Sequence, residues 1–439
     1  MKYHTKFKQT EIGMIPEEWK FDVLSKHLYI KGRIGWKGLQ KSEYLKDGTG
    51  IAILNGTQIQ DSKLDWTDCG RVPEWRYDES PEIQLKENDI VMTKDGTIGK
   101  IAFIDKLPEK SSVASGIFVI RSESGDIDQR FLFYYFKSPL FKRLIETRKE
   151  GSVIPHLYQR DFEEFPIAYP LIKEQQSIAK TLSDLDSKIE INQQMSKTLE
   201  ILAKAIFKHW FVHFEFLNEG GKPYKSSGGE MRDSELGSIP KKWNVKSIYD
   251  CAQYVNGEAF RDTDFSLLRS GLPIIKIFEL KYGIAPQTNF TDKNVKSKYF
   301  IDDGDILFAW SGSPDTSIDT FIWTGGKGIV NQHIFKVSAL HSNEKAFVFF
   351  LLKYLNKIFI EIARDKQTTG LGHVTINDMK KLFVIVPDNN IMEQFNKVAN
   401  PIFHHICHNN INSQTLRQIR DSLIPKLMSG KVRVPVEVN

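Results

Sequence analysis

Apolar positions along the chain follow two different periods. Short runs at residues 51–54, 89–93 and 117–121, and again at 273–278, 305–309 and 334–337, are bounded by Gly, Asn and Asp. That pattern predicts strands. Residues 128–149 and 344–365 instead carry apolar side chains at helical spacing, predicting one or two amphipathic helices in each stretch. The longest element is polar, with neither Gly nor Pro from Ile172 to Glu219. A partner covers residues 391–429, where Pro401 and Pro425 are expected to interrupt the helix.

Written as heptads, the first long helix places Ile178, Leu185, Asn192, Leu199 and Ile206 at a positions, with Leu182, Ile189, Ser196 and Ala203 at d. The second repeats this seam 217 residues later, through Ile406, Asn409, Ser413, Leu416, Arg420 and Leu423. An apolar seam of this period is the signature of a coiled coil, and Asn at an a position trades stability for register. Antiparallel pairing would set Asn192 beside Ser413 and Ser196 beside Asn409. The four would then fix the register of the coil from two polar layers related by a pseudo-two-fold axis. About 34 residues of such a helix would hold the flanking domains some ~50 Å apart. The plainer alternative puts these polar positions on a solvated face.

The chain is written twice. Glu11-Ile-Gly-Met-Ile-Pro-Glu-Glu-Trp19 recurs 224 residues later as Glu235-Leu-Gly-Ser-Ile-Pro-Lys-Lys-Trp243. Phe131-Leu-Phe-Tyr-Tyr returns as Phe347-Val-Phe-Phe-Leu, and His156 and Asp161 match His373 and Asp378. Kept order and spacing across half a chain imply two homologous units in tandem. Their expected limits are a first domain at 1–171, the first long helix at 172–217 and a Gly- and Ser-rich exposed linker at 218–234. A second domain follows at 235–390, then the second helix at 391–429 and a tail at 430–439.

Composition narrows the class of protein. With 439 residues, 41% of them hydrophobic, the chain can bury two or three ordinary cores. A net charge of +5 permits a polyanionic partner without demanding one. Cys69, Cys251 and Cys407 are too scattered for a disulfide framework or a cysteine-rich zinc site. Residues 1–16 carry no apolar core of a secretory signal, and no run reaches the ~18 residues that span a bilayer. A cytoplasmic protein is expected.

Catalytic motifs are missing from the sequence. Gly96-Thr-Ile-Gly-Lys100 is too short for a phosphate loop, and neither His-Glu-x-x-His nor Gly-x-Ser-x-Gly occurs. No Pro-Pro pair exists to build an adenine methyltransferase loop. Asp47, Asp61 and Lys63 make only a loose nuclease pattern. His404, His405 and His408 flank the heptad seam rather than converge, and His209 and His213 lie among aromatic residues. The expectation is therefore no catalytic residue and no metal.

Binding chemistry remains. The loop Lys94-Asp-Gly-Thr97-Ile-Gly-Lys100 follows a strand and offers backbone N–H groups and two ammonium heads to phosphate oxygens. Its counterpart around Trp310, Ser311 and Ser313 keeps hydroxyls but loses both lysines. A second matched pair of polar loops carries His156, Tyr158 and Arg160 in the first half and His373 and Thr375 in the second. Asn55, Thr57, Gln58, Lys276, Gln332 and its neighbour His333 are the side-chain types that read base edges or reach phosphates. A constant frame presenting two different polar surfaces suits recognition of two short DNA targets.

Several segments together resemble a known family. They are Leu236-Gly-Ser-Ile-Pro-Lys-Lys-Trp243, Pro170-Leu-Ile-Lys-Glu-Gln175, Ala205-Ile-Phe-Lys-His-Trp-Phe211, Pro223-Tyr-Lys-Ser-Ser-Gly-Gly-Glu-Met231 and Leu423-Ile-Pro-Lys-Leu-Met-Ser-Gly-Lys431. They resemble the specificity subunits of type I restriction–modification systems, over nearly the whole chain. The resemblance implies an α+β fold, with two tandem target recognition domains of mixed α/β structure and two long helices pairing as an antiparallel coiled coil. It implies a non-catalytic subunit that reads a bipartite target in double-stranded DNA. Its implied partners are two methyltransferase subunits acting on adenine N6 with S-adenosylmethionine, and two restriction (motor-nuclease) subunits using ATP and magnesium. A self-sufficient nuclease and a coiled-coil scaffold without a DNA role are the competing readings.

Overall fold

The computed structural model describes residues 6–33, 38–147, 156–367 and 370–435. It forms two compact units, Met1–Ser187 with Arg417–Asn439 (unit 1) and Lys188–Leu416 (unit 2). Each opens with the repeated Gly-x-Ile-Pro motif as a hairpin: Phe7–Thr10 pairs with Gly13–Pro16, and Met231–Ser234 with Gly237–Pro240. Residues 231–234, expected in the linker, are thus the first strand of unit 2. Gly13 and Gly237 take φ of +107° and +91° at these turns, which a side chain would resist. Trp19 and Trp243 follow the hairpins and are buried in the cores of their units.

A four-stranded antiparallel sheet forms the frame of each unit. In unit 1 the order is Ile101–Phe103, Ile90–Thr93, Ile117–Ser122, Leu28–Gly32; in unit 2 it is Asp319–Ile322, Ile306–Ala309, Ile334–Ala339, Ala252–Asn256. Successive residues of a strand face opposite sides, and here both sides are apolar. Ile90, Met92, Phe118 and Ile120 pack towards the helices Gln129–Lys137 and Pro139–Thr147, while Val91, Ile117 and Val119 pack against a second sheet. That second sheet carries a parallel pair at matching positions: Ser111–Val113 beside Ile51–Leu54, and Gly328–Val330 beside Leu272–Ile275. The stretch expected as a strand at 273–278 therefore stops at Ile275. Ile277 and Phe278 begin the helix Ile277–Tyr282, where Glu279 accepts a hydrogen bond from the Lys276 N–H.

The long helices are Ile172–Phe211 and Asn389–Met428, each 40 residues, and they begin and end at matching positions of the repeat. Within unit 2, Ser196 meets Asn410 while Phe207 and Trp210 pack on Phe395, so the pairing is antiparallel. Ile178, Leu182, Ile189, Ala203 and Ile406 are buried along the seam, and so are Asn192, Ser196, Asn409 and Ser413. The polar contacts differ in detail from expectation. Ser196 Oγ donates to Asn410 Oδ1 (3.2 Å) rather than meeting Asn409. Ser413 Oγ turns back to the Asn409 carbonyl of its own helix (2.8 Å), the local bond that a short hydroxyl makes most easily.

Two helix boundaries also depart from the sequence reading. Pro401 and Pro425 lie inside the second helix without ending it. Each removes one backbone donor, and the buried seam on either side, from Phe395 to Leu427, keeps the helix together. The first helix stops at Phe211, six residues before the expected limit at 217. There Phe214 turns to φ +59° and its ring packs on Trp243. The segment after it is braced as well as exposed: Tyr224 stacks on Phe216, which stacks on Trp243.

Candidate nucleic-acid interface

In unit 1, several strand ends meet at one edge of the sheet frame. Lys94 leaves the strand Ile90–Thr93 with its N–H bonded to the Gly116 carbonyl (2.8 Å), and its Nζ lies over the Phe118 ring (5.2 Å) beside Gly32. Asn55 follows Ile51–Leu54, whose last carbonyl accepts from Ala114 N (2.9 Å). The loop of His156 closes over the same edge. Leu157 N donates to the Lys94 carbonyl (2.9 Å), and the His156 ring pairs with Asp95. Tyr158 packs at a tilt against His156 (4.4 Å between ring centres), and the Arg160 guanidinium lies 4.8 Å from the Tyr158 ring. Asp161 holds this turn by accepting from Tyr158 N (2.7 Å).

Thr97 and Lys100 lie further along the same hairpin. The Thr97 carbonyl accepts from Thr93 Oγ1 (2.5 Å), and Thr93 Oγ1 accepts from Lys100 N (3.0 Å). The backbone here is thus pinned, and the Lys100 side chain is left in solvent. Gln58, expected among the base readers, is bonded within its own loop. It is buried, its Oε1 accepts from Asn55 N (3.0 Å) and Thr57 Oγ1 (3.2 Å), and its Nε2 donates to the Asp68 carbonyl (2.9 Å). Gln58 therefore shapes the loop that presents Asn55 and Thr57.

Unit 2 builds the same edge from other side chains. Trp310 occupies the position of Lys94; its N–H donates to the His333 carbonyl (3.3 Å) and its indole Nε1 donates to Asn256 Oδ1 (2.9 Å). Lys276 ends the strand Leu272–Ile275, where Asn55 stands in unit 1, and Asn331 N donates to the Ile275 carbonyl (3.0 Å). Gln332 and His333 touch through their polar ends (3.5 Å), and His333 lies 5.8 Å from the Trp310 ring. His373 pairs with Ser311 along the backbone, and Val374 N donates to the Trp310 carbonyl (2.8 Å). Ser313 begins the short helix Pro314–Ser317. Thr375, expected to touch DNA, caps the helix Ile376–Lys381. Its Oγ1 donates to Asp378 Oδ2 (2.6 Å) and its N–H bonds the same carboxylate (2.7 Å).

Sequence reasoning passed over Arg33. It follows the strand Leu28–Gly32, is buried, and donates from Nε to the Val113 carbonyl (3.3 Å). Its Nη1 and Nη2 have no partner among the described residues. Burial, together with nearby Arg76, holds its pKa below the usual arginine value. Its place at the end of a strand next to the Lys94 loop was the available signal.

Asp47 and Asp61 fall in separate turns. Asp47 accepts from Thr49 N (3.0 Å), and Asp61 takes φ +49° in the turn between Ile59–Gln60 and Lys63–Leu64. No group of three metal-ligating side chains forms among the described residues. No described helix is long and apolar enough to cross a membrane.

The twofold edge on a repeated frame has a counterpart in sequence. Residues 37–201 and 240–415 match the family described as the type I restriction modification DNA specificity domain. The chain belongs to this family. It is 27% identical over 447 residues to the type I restriction enzyme MjaIX specificity subunit of Methanocaldococcus jannaschii, covering 99% of this chain and 98% of that protein. It is 23% identical over 411 residues to the HindI specificity subunit of Haemophilus influenzae, covering 79% and 87%. A crystal structure of a type I S subunit from M. genitalium shares the fold, with a TM-score of 0.51 over 96% of this chain and 98% of that one, at 16% identity. Family membership with two specificity domains gives the chain a DNA-sequence-specificity role, in place of a nuclease or a bare scaffold.

Proposed function

We propose that this chain reads a bipartite DNA target, one half-site per recognition domain, and directs adenine methylation or restriction carried out by partner subunits. The observation that carries the reading is the edge built twice on one frame with different side chains. Lys94, Asn55 and His156 stand where Trp310, Lys276 and His373 stand in unit 2. A frame held constant under changed contact residues is what two different half-sites require, since base edges differ in donors and acceptors while the backbone does not. Two methyltransferase subunits using S-adenosylmethionine, and two motor-nuclease subunits using ATP and magnesium, would supply the chemistry in the cytoplasm. Catalytic groups would come from those partners.

The experiment is methylation mapping in cells that express the chain with its methyltransferase subunit. A split motif around a fixed gap is expected, and deleting the chain should abolish it. Exchanging residues 38–76 for those of a relative should change one block of the motif and leave the other. Methylation that is unaltered by deletion would overturn the proposal.

A further inference from the structure

Between the strands Ala252–Asn256 and Leu272–Ile275 of unit 2, the chain reverses through Ser266-Leu-Leu-Arg269. Leu267 is 99% exposed and Leu268 90%. Two adjacent leucines so fully in water forgo the transfer free energy that normally buries them. Single exposed leucines are common on protein surfaces, but this pair stands at the point of a turn that is held rigidly.

The bracing is polar and extensive. Arg269 takes φ +56°, its N–H closes the turn on the Ser266 carbonyl (3.2 Å), and its guanidinium lies 4.5 Å from the centre of the Phe290 ring. That guanidinium donates to the carbonyls of Ala285 (3.1 Å), Thr288 (3.1 Å) and Pro286. On the other side Ser266 N bonds the Phe290 carbonyl (2.8 Å), the Ser266 and Ser270 hydroxyls meet at 2.7 Å, and Ser270 bonds Asp292. A strained residue and a set of hydrogen bonds thus hold a convex point at which the two leucines stand in water, with Arg269 and Ser270 exposed beside them.

This point is continuous with the edge of unit 2. Phe265, directly before the turn, lies under the Lys276 ammonium at 4.9 Å. Thr288, whose carbonyl holds Arg269, donates from its hydroxyl to Glu279 (2.9 Å), and Glu279 accepts from Lys276 N (3.0 Å). The turn and Lys276 therefore share one hydrogen-bonded support.

We propose that the Leu267–Leu268 turn is an apolar wedge that unit 2 presses against stacked bases of its half-site, with Lys276 beside it on the backbone. The inference rests on the DNA-specificity role. Proteins that kink duplexes insert aliphatic side chains of this kind between base steps, and the insertion must be rigid because unstacking opposes it. A braced convex turn meets that requirement, and the neighbouring cation suits the phosphates on either side of an opened step.

The test uses the chain in complex with its methyltransferase subunit, on duplexes carrying the mapped target with 2-aminopurine placed in turn at each step of the unit 2 half-site. Both leucines are solvent-exposed, so Leu267→Ser with Leu268→Ser leaves the fold in place. Fluorescence should rise at one step with the unaltered complex and stay flat with the double variant. Methylation of the target should fall at least about tenfold while co-purification with the methyltransferase subunit is retained. Equal fluorescence and equal methylation for the two complexes would overturn the wedge. So would loss of co-purification, which would make the turn a protein-docking knob. Methylation that survives deletion of the whole chain would remove the DNA role itself, a result separable from either of these.

Discussion

Asp186 of the first long helix accepts a hydrogen bond from Arg420 of the second at 2.5 Å, within unit 1. The same carboxylate accepts from the Tyr134 hydroxyl (2.9 Å) and from Lys137 (3.4 Å), both on the helix Gln129–Lys137 of the recognition domain. One side chain thereby ties a recognition domain to both strands of the coil. The matching lysine of unit 2, Lys353, reaches Asp319 (3.1 Å) and Glu200 (3.8 Å) instead.

Asp186→Asn should destabilise unit 1 by about 3 kcal/mol, because it leaves Arg420 and Lys137 half-buried without their counter-charge. Burial pushes the Asp186 carboxyl up, but Lys137, Arg420 and the hydrogen bonds from Arg420 and Tyr134 hold it below the usual carboxylate value. A depressed carboxylate stabilises the fold above its unfolded pKa, and that stabilisation fades as pH falls through the folded one. Urea titrations should therefore show a wide gap between the two proteins at pH 7, narrowing steadily once the pH drops below about 4.

Asn192 and Asn409 are buried in the seam, and the Nδ2 of each has no hydrogen-bond partner among the described residues. Replacing both by Leu should raise stability by roughly 1–3 kcal/mol, since two unpaired amides give way to apolar packing. The expected cost is a looser helix register, visible as a broadened spacing in the methylation motif. A lower melting temperature for the double variant would show that the amides are satisfied in solution.

Lys94 stands at the unit 1 edge, with its ammonium over the Phe118 ring. Lys94→Gln should weaken DNA binding by the complex to a similar degree for cognate and unrelated duplexes. The slope of log K against log salt should shrink by about 0.9, the share of one phosphate contact. A change confined to one base position would instead make Lys94 a base reader.

Gly257 passes against Asn331 so closely that a Cβ would overlap the Asn331 carbonyl. Its N–H also bonds the Ile334 carbonyl (3.0 Å). Gly257→Ala should push aside the segment carrying Gln332 and His333 and cut methylation by at least about tenfold, a loss of the size of one mismatched base pair. Rates equal to the unaltered complex would mean that this segment does not face the target.

Repetition and period made the frame legible from sequence. The matched motifs at Trp19 and Trp243 and the heptads through Ile178 and Ile406 depend on local spacing, which sequence records directly. Side-chain commitments depend on three-dimensional neighbours and were not recorded. Gln58 and Thr375 have the chemistry of base readers, yet one closes a loop and the other caps a helix. Pro401 carries a strong local preference against helix, and packing of Phe395, Ala399 and Phe403 overrides it. The Leu267–Leu268 turn was hidden for the opposite reason, since an apolar pair in a sequence ordinarily signals a core.

Unit 1 is completed by chain from both sides of unit 2. Ile424, Leu427 and Met428 fill the core that holds Trp19, Ile178 and Leu182, and Arg433 reaches back to Glu174 (2.6 Å) and to Glu18. On the ribosome this order matters. Residues 188–416 form an uninterrupted stretch that can fold as soon as it emerges, whereas the core of unit 1 waits for its last pieces. At about 5–20 residues per second that wait lasts roughly 10–50 s, during which an apolar surface stands open to chaperones or to the 417–435 segment of another nascent copy. The entropic cost of closing so long a loop grows only logarithmically, so the burden falls on timing rather than on final stability.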